Sequence, residues 1–457
     1  MVSRRSLPAR RWLARGVVAL TVALLVGAAT VATATADRRT AGPGTVRQNA
    51  TGETVVSVQG FHFEGVANPK KPARVVGAAP NATTAWTYDG ASRGAVWFYD
   101  VDPLPDGHLL VTQTVPGDTL VYELDPESGR RVWQQRLDAE DTHDVDLING
   151  DELLVANMRN YDPGDGVNHD RLYVYNLTTD RITWQWQFHD HFPASGGGDY
   201  RDDWTHVNDV DKIADGEFLV SVRNFDQVIV VNRSSKRIDM RLGRDGDHSI
   251  LYEQHNPDYL VSDAGNPTML VADSENDRVV EYARENGTWN RTWQLTGNLN
   301  WPRDADRLPN GNTLITDTLN QRVIEVTPRG RVVWEYYAAW APYDAERRWY
   351  GGGSRGPTMA DANVTGSYRV HGGAGEGPIA HETVGGWLQR TGLEWLGARY
   401  SHVVPFVRPV WIPSWAFAGY LLAALSLVGW GLLELAVNRR RVVAALARLR
   451  ERVRTTG

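Results

Sequence analysis

The chain has 457 residues, 23% of them charged, and no cysteine, which excludes disulfide and thiolate chemistry and leaves the compartment unread from cysteine usage. Five arginines precede a first apolar segment and seven follow a second; the region between holds 36 basic against 53 acidic residues, with only four lysines (Lys70, Lys71, Lys212 and Lys236). An acidic, lysine-poor exterior argues against nucleic acid as partner and suits a salt-loving source, although GC-rich coding also favours arginine over lysine.

Residues 1–15 are a basic N-terminus carrying Arg4, Arg5, Arg10, Arg11 and Arg15. Residues 16–36 follow as an apolar run, long enough for a transmembrane helix or signal anchor; a cleaved signal peptide is the alternative. The next long apolar run is 411–437, trailed by a basic tail over 438–457. Arginines flank the outer end of each run. The expected topology is therefore a cell-membrane protein with both termini cytoplasmic and the centre outside. Seven N-x-S/T sequons, beginning at Asn49, Asn81, Asn176, Asn232, Asn286, Asn290 and Asn363, lie in that centre and fit an exported, glycosylated surface. The tail reads equally as a basic helix on anionic headgroups or a solvated stop-transfer segment.

The centre repeats with a period of about 50 residues. An aromatic-ended strand occurs six times: "TAWTYDG" (84–90), "RVWQQRL" (131–137), "ITWQWQF" (182–188), "RIDMRLG" (237–243), "RTWQLTG" (291–297) and "VVWEYYA" (332–338). A second element pairs D-x-D with a tight turn and an apolar strand, as in "YDVDPLPDGHLLV" (99–111), "HDVDLINGDELLV" (143–155), "NDVDKIADGEFLV" (208–220) and "RDADRLPNGNTLI" (303–315), with a diverged copy from His255. Four short strands per unit, Gly/Asn/Asp turns and no helical period predict an all-β fold, a six-bladed β-propeller ectodomain over 37–340 flanked by N- and C-terminal transmembrane helices. Radial closure removes exposed sheet edges. The first unit lacks a clear inner strand unless "TVVSVQG" (54–60) serves, and 341–410 reads as a Gly-rich juxtamembrane segment ending in an interfacial helix near 387–400.

The Asp and Gly of every good copy read as scaffold that caps turns and bonds neighbouring blades; a cation ring in the channel is the alternative. The position before the repeat Asp varies instead: Tyr99, His143, Asn208 and Arg303, with His255 opening the diverged copy. His206, two residues before Asn208, is expected on the same strand face. These substitutes are groups that do chemistry, and function on such folds lives in grafted sites. Arg223, in "SVRN", is either a surface cation or a fork for an oxyanion.

The "DWTHVND" stretch, the "SVRN" arginine 17 residues after His206, the earlier "HDVDL" and the later "QHNP" together resemble the bacterial aryl sulfotransferases that work without a nucleotide sulfate donor. The resemblance covers roughly 85–340 and departs from the family by a second span and a Gly-rich tail. It implies a six-bladed propeller with its site in the central channel. It also implies sulfuryl transfer from a phenolic sulfate ester to a phenol or other hydroxyl, with no cofactor and no metal. His255 matches the histidine that becomes transiently sulfated, His206 and Asn208 the histidine–x–asparagine pair, Arg223 the sulfate-binding arginine and His143 the earlier channel histidine. Tyr99 and Arg303 join Asn208 as candidate substrate-binding residues. Acid and base roles fall to His143 or His206, since histidine titrates near neutral pH. No G-x-x-x-x-G-K-[ST] loop occurs, and "SGGGDY" (195–200) reads as a channel-mouth loop. Two rival readings stand beside this one. One is a non-catalytic, membrane-tethered propeller that binds a surface polymer or partner. The other is a metal-dependent lyase or hydrolase using these histidines with His169 and "HDH" (189–191). Oligomeric state, donor and acceptor are unread.

Overall fold

The structure is a computed structural model; it describes residues 7–36, 41–61, 70–90, 93–373 and 384–439. The basic tail beyond 439 and the first six residues lie outside the described residues. The chain forms two compact units, one of the terminal segments and one of the stretch between them.

In the terminal unit, helices Leu7–Thr35 and Ser414–Val437 are each long and apolar enough to cross a bilayer, with mean hydropathy of 2.3 and 1.8 over their apolar stretches. They run antiparallel. Arg15 meets Glu434 in a two-point pair at 2.9 Å, and further along Thr30 Oγ1 lies 3.0 Å from Tyr420 Oη. Gly419 lets the second helix approach Ala29, where a Cβ would stand 3.3 Å away. The N-terminal end of the first helix and the C-terminal end of the second therefore lie together.

The central unit is a ring of six antiparallel sheets. The six aromatic-ended stretches are the outer strands and the D-x-D stretches the inner ones, as the repeat predicts. Each pair of neighbouring blades buries an apolar cluster of its own; between blades 3 and 4 it includes Trp186, Trp204, Val210, Phe218 and Phe225. The outer-strand tryptophans have a second use. Trp184 Nε1 donates to the Arg233 carbonyl, Trp293 to Pro328 and Trp334 to Pro80, each on the following blade, at 2.8–3.0 Å. In blades 3, 5 and 6 the outer-strand tryptophan is thus a bolt to the next blade, whereas Trp86 and Trp133 donate to Glu53 and Glu123 of their own blades.

Ring closure corrects two expectations. The stretch Thr54–Val58 is the second strand of blade 1, and the inner strand is Pro342–Arg347, arriving from the far end of the repeat. In return Ala41–Val46 adds an outermost strand to blade 6 beside Val332–Ala338. The propeller therefore runs past residue 340. Beyond it, Gly366–Arg369 pairs parallel to Thr288–Thr296 on the rim of blade 5, so part of the Gly-rich segment is sheet rather than tether. The helical stretch near 387–400 is two helices, Val384–Arg390 and Glu394–Val407.

The repeated aspartates bond blade to blade. Asp146 accepts the Lys212 N–H at 3.0 Å, Asp344 that of Val101 at 3.0 Å and Asp304 that of Ala345 at 3.3 Å; Asp144 accepts from Val210. A carboxylate that takes an N–H from the neighbouring inner strand satisfies a buried donor that the sheet itself leaves free.

Candidate active site in the channel mouth

Two rings of residues build the site. One is the position before each repeat aspartate, Tyr99, His143, Asn208, Arg303 and, from the closing strand, Tyr343, with His255 before Asn256 in the diverged copy. The other stands two residues earlier, where the backbone turns left-handed: Asp141, His206, Glu253, Trp301 and Ala341 all have φ between 42° and 57°. Left-handed backbone at a non-glycine residue costs free energy, and such residues gather at functional sites. His206 is one of these bends. It precedes the strand Val207–Ala214, so alternation along a strand does not place it, and its ring follows its own course into the channel mouth.

The rings meet. His143 lies 3.8 Å from Tyr99 and 4.9 Å from His206, centroid to centroid, and its Nδ1 is 3.1 Å from the Tyr343 hydroxyl. Tyr343 in turn stands 5.9 Å from His255. The Arg303 guanidinium lies over the Trp301 and Tyr343 rings at 4.1 and 4.7 Å and donates to Gln59. Arg223 heads the short 3-10 turn Arg223–Phe225 and donates to Glu253 and, at 3.0 Å, to Asn224. Its Nε and that of Arg303 are buried without a partner. Asn208 is fully buried; its amide donates to the Gln254 carbonyl at 3.0 Å, and its Oδ1 has no partner.

His255 is the best-defined group. Its Nδ1 lies 2.8 Å from Ser274 Oγ and 3.2 Å from the Glu253 carbonyl. Ser274 spends its own hydrogen on the Pro302 carbonyl at 2.6 Å. Both neighbours of Nδ1 are therefore acceptors, so Nδ1 carries the proton and Nε2 keeps a lone pair. Burial and the charges of Arg303 and Arg223 hold the ring far below the ordinary histidine range. His206 is tied likewise: both Asp203 oxygens lie within 2.9 Å of Nδ1, leaving Nε2 free. Burial, then the charge of Arg223, pushes His206 down to about 3, while Asp203 stays ionised, far below its usual range, through its bond to His206. His143 is also lowered, by burial. Asp141 accepts from Tyr99 at 2.8 Å and from Arg159 at 3.0 Å.

Sequence reasoning missed Tyr343, Trp301 and the carboxylates that orient the rings. The signal for Tyr343 was present: "YDAE" (343–346) aligns with "YDVD" (99–102), with Glu346 in place of the second aspartate. The glycine-rich 195–200 loop does lie close by. A Cβ on Gly198 would fall 2.1 Å from the Asp203 carbonyl oxygen, so only glycine lets the loop press on the residue that orients His206. Of the other histidines, His189 donates to the Asn168 carbonyl and His191 stacks on Trp186.

Among the described residues, two clusters bring three ligand atoms within 4.8 Å of one another: Asp106, His108 and Glu123, and Asp162, Asp165 and His169. Neither contains a channel histidine. A cavity of about 1070 Å³ opens at the other end of the channel, lined by Asp102, Asp146, Asp211 and the 351–355 loop, away from the histidines.

Residues 83–293 match the family model described as Arylsulfotransferase (ASST). Over these residues the chain is ASST-like. The match supports an arylsulfotransferase-like transferase, for which the family implies an aryl sulfate donor and a phenolic acceptor. No curated protein matches the chain. Among solved structures, the ASST-like chain is similar to a protein of unknown function from Bacteroides caccae, at 12% identity over 70% of this chain and 98% of that one, TM-score 0.42. It is also similar to a putative 6-phosphogluconolactonase from Bacteroides fragilis, at 13% identity over 65% and 98%, TM-score 0.41.

Proposed function

We propose that the ASST-like domain transfers a sulfuryl group in two steps through His255. Nε2 attacks the sulfur of an aryl sulfate, the sulfur–oxygen bond to the ring breaks, and the phenolate leaves. The sulfuryl group then rests on Nε2 of His255, whose Nδ1 keeps its proton and donates it to Ser274 Oγ and the Glu253 carbonyl. In the second step an acceptor hydroxyl attacks sulfur, its proton passes to Nε2 of His206, and the S–N bond breaks. Arg223 and Arg303 face the non-bridging oxygens, where charge gathers. Histidines held neutral suit a base better than an acid, so the phenolate departs as an anion beside Arg303. Asn208 positions the Gln254–His255 backbone, and Tyr99, Tyr343 and His143 form the wall against which the aryl ring rests.

One observation carries this reading: Nδ1 of His255 is committed to two acceptors, which leaves the lone pair on Nε2 of a ring that burial and the charges of Arg303 and Arg223 keep neutral. The test is 4-nitrophenol release from 4-nitrophenyl sulfate in high salt with EDTA, with and without phenol, on wild type and His255→Ala. Acceptor-dependent release that the variant loses is the expected result. Release that survives in the variant moves the nucleophile to another histidine, and no release from any aryl sulfate refutes sulfuryl transfer.

A further inference from the structure

The helix Glu394–Val407 borders the channel mouth on the histidine side. His402 reaches Glu275 at 3.4 Å and Asp277 at 3.7 Å, and its ring lies 6.1 Å from Trp301, itself 6.1 Å from His255. Although burial opposes the charge, the two carboxylates raise His402 to about 10, so the contact is a standing ion pair. One turn further on Lys71 caps the helix's C-terminal end, donating to the Pro405 and Phe406 carbonyls at 3.0 and 2.9 Å, and Phe406 packs 4.5 Å from Phe61. The helix is thus fastened across blades 5, 6 and 1, with Gly397, Ser401 and Val404 buried beneath it.

Its outer face is apolar. Trp395 is 73% exposed and Val403 55%, with Leu396 and the preceding Leu393 also open and one cation, Arg399, among them. A soluble surface seldom keeps such a row on one helix. Six residues separate Val407 from Ser414, where the apolar helix Ser414–Val437 begins. At roughly 3.5 Å per step the seven steps from Val407 to Ser414 span at most about 25 Å. A bilayer that holds that helix therefore lies within reach of this face, and Trp395 before the link and Trp411 within it are residues that favour the headgroup level.

We propose that the outer face of Glu394–Val407 seats in the lipid interface, and that the acceptor is a hydroxyl on a bilayer-resident amphiphile that reaches His255 along the His402–Trp301 edge of the mouth. The proposal rests on the sulfuryl-transfer reading. The step is the one already written: the acceptor oxygen bonds to sulfur, the S–Nε2 bond breaks, and the hydroxyl proton goes to His206. A neutral amphiphile suits this edge, which offers carboxylates already paired with His402 and an indole N–H, that of Trp301, buried without a partner.

The experiment uses the full chain in phosphatidylcholine vesicles with 4-nitrophenyl sulfate as donor. Rates are compared for phenol, which stays in water, and 4-dodecylphenol, which stays in the bilayer, in wild type, Trp395→Asp and, separately, Val403→Asp. Both substituted side chains are exposed, so the fold should stand. The expected result is a roughly tenfold loss with 4-dodecylphenol in each variant and an unchanged rate with phenol, since about 1.4 kcal/mol of lost interfacial seating is a factor of ten. A wild type that uses phenol but not 4-dodecylphenol overturns the proposal, as do variants that keep the ratio of the two rates. A wild type inactive with both acceptors instead refutes sulfuryl transfer itself.

Discussion

Ser274 has one hydrogen to give, and the Pro302 carbonyl receives it. That choice fixes which nitrogen of His255 is nucleophilic. Ser274→Ala removes one acceptor and leaves only the longer bond to Glu253, so the wrong tautomer gains ground; a net hydrogen bond is worth about 1 kcal/mol, and kcat should fall about five- to tenfold with KM little changed. Steady-state kinetics with 4-nitrophenyl sulfate read this, and an unchanged kcat would sink the tautomer argument. His206 makes a pH prediction. Its proton affinity is lowered to about 3 in the fold against about 6.5 unfolded. The base form is therefore populated throughout pH 5–8, and kcat/KM should show no acid limb in that window; a limb near 6.5 would mean His206 is not so held. The same shift costs stability as pH falls from about 6.5 towards 3, because the unfolded chain takes up a proton the fold refuses. His143, His206 and His255 were legible in the sequence because they break a repeat. Their partners were not. Asp203 sits three residues from His206 but Ser274 nineteen from His255, and only the fold brings the latter across. His206 was also read as a strand residue, when its left-handed φ of 42° puts it outside the alternation.

At the level of the element, the closing strand Pro342–Arg347 holds the ring shut, and a repeated clamp holds the strand. Arg347 is buried, lies over the Trp334 ring at 4.6 Å and pairs with Glu325 at 2.6 Å on blade 6. Arg307 does the same one blade earlier, over Trp293 at 5.0 Å and against Glu281 at 3.2 Å. The inner strands of blades 6 and 1 thus each end in an arginine that reaches back to a buried glutamate of the preceding blade. Breaking a buried pair by removing one partner strands the other charge, at a cost of about 3–5 kcal/mol. Arg347→Ala should lower the unfolding free energy by that amount, and the denaturation midpoint more than an exposed change such as Arg136→Ala, whose pair with Asp118 is at the surface. Equal midpoints would mean the clamp does not hold the ring. The outer strands were legible because their tryptophans recur every 50 residues or so. The closing strand was not, because its D-x-D has become Asp344-Ala345-Glu346 and no turn-and-strand partner follows it in sequence. Its partner, Thr54–Val58, lies nearly three hundred residues earlier, and pairing at that separation leaves no local trace.

Over the whole molecule the channel sets two titrations against each other. The inner strands place Asp100, Asp144, Asp209, Asp304 and Asp344 around one axis, and burial raises all five, Asp144 to about 7 and Asp304 to about 8. A carboxyl whose folded affinity for a proton exceeds its unfolded one stabilises the fold fully below about pH 4, and that contribution drains away as pH rises through the folded value. The histidines above do the reverse, losing stability as pH falls. Asp209 separates the two effects, because burial and its fellow aspartates raise it well above its ordinary value while its Oδ2 has no partner to lose. Asp209→Asn keeps the shape and removes the titration. Relative to wild type, the variant should therefore gain stability as pH rises, by up to about 1.4 kcal/mol per unit between pH 5 and 7. Urea denaturation of both proteins at the two pH values measures that difference directly. A gain of the same size at pH 5 and 7 would mean that Asp209 does not change its protonation on folding, and that the ring of aspartates is ionised in the channel.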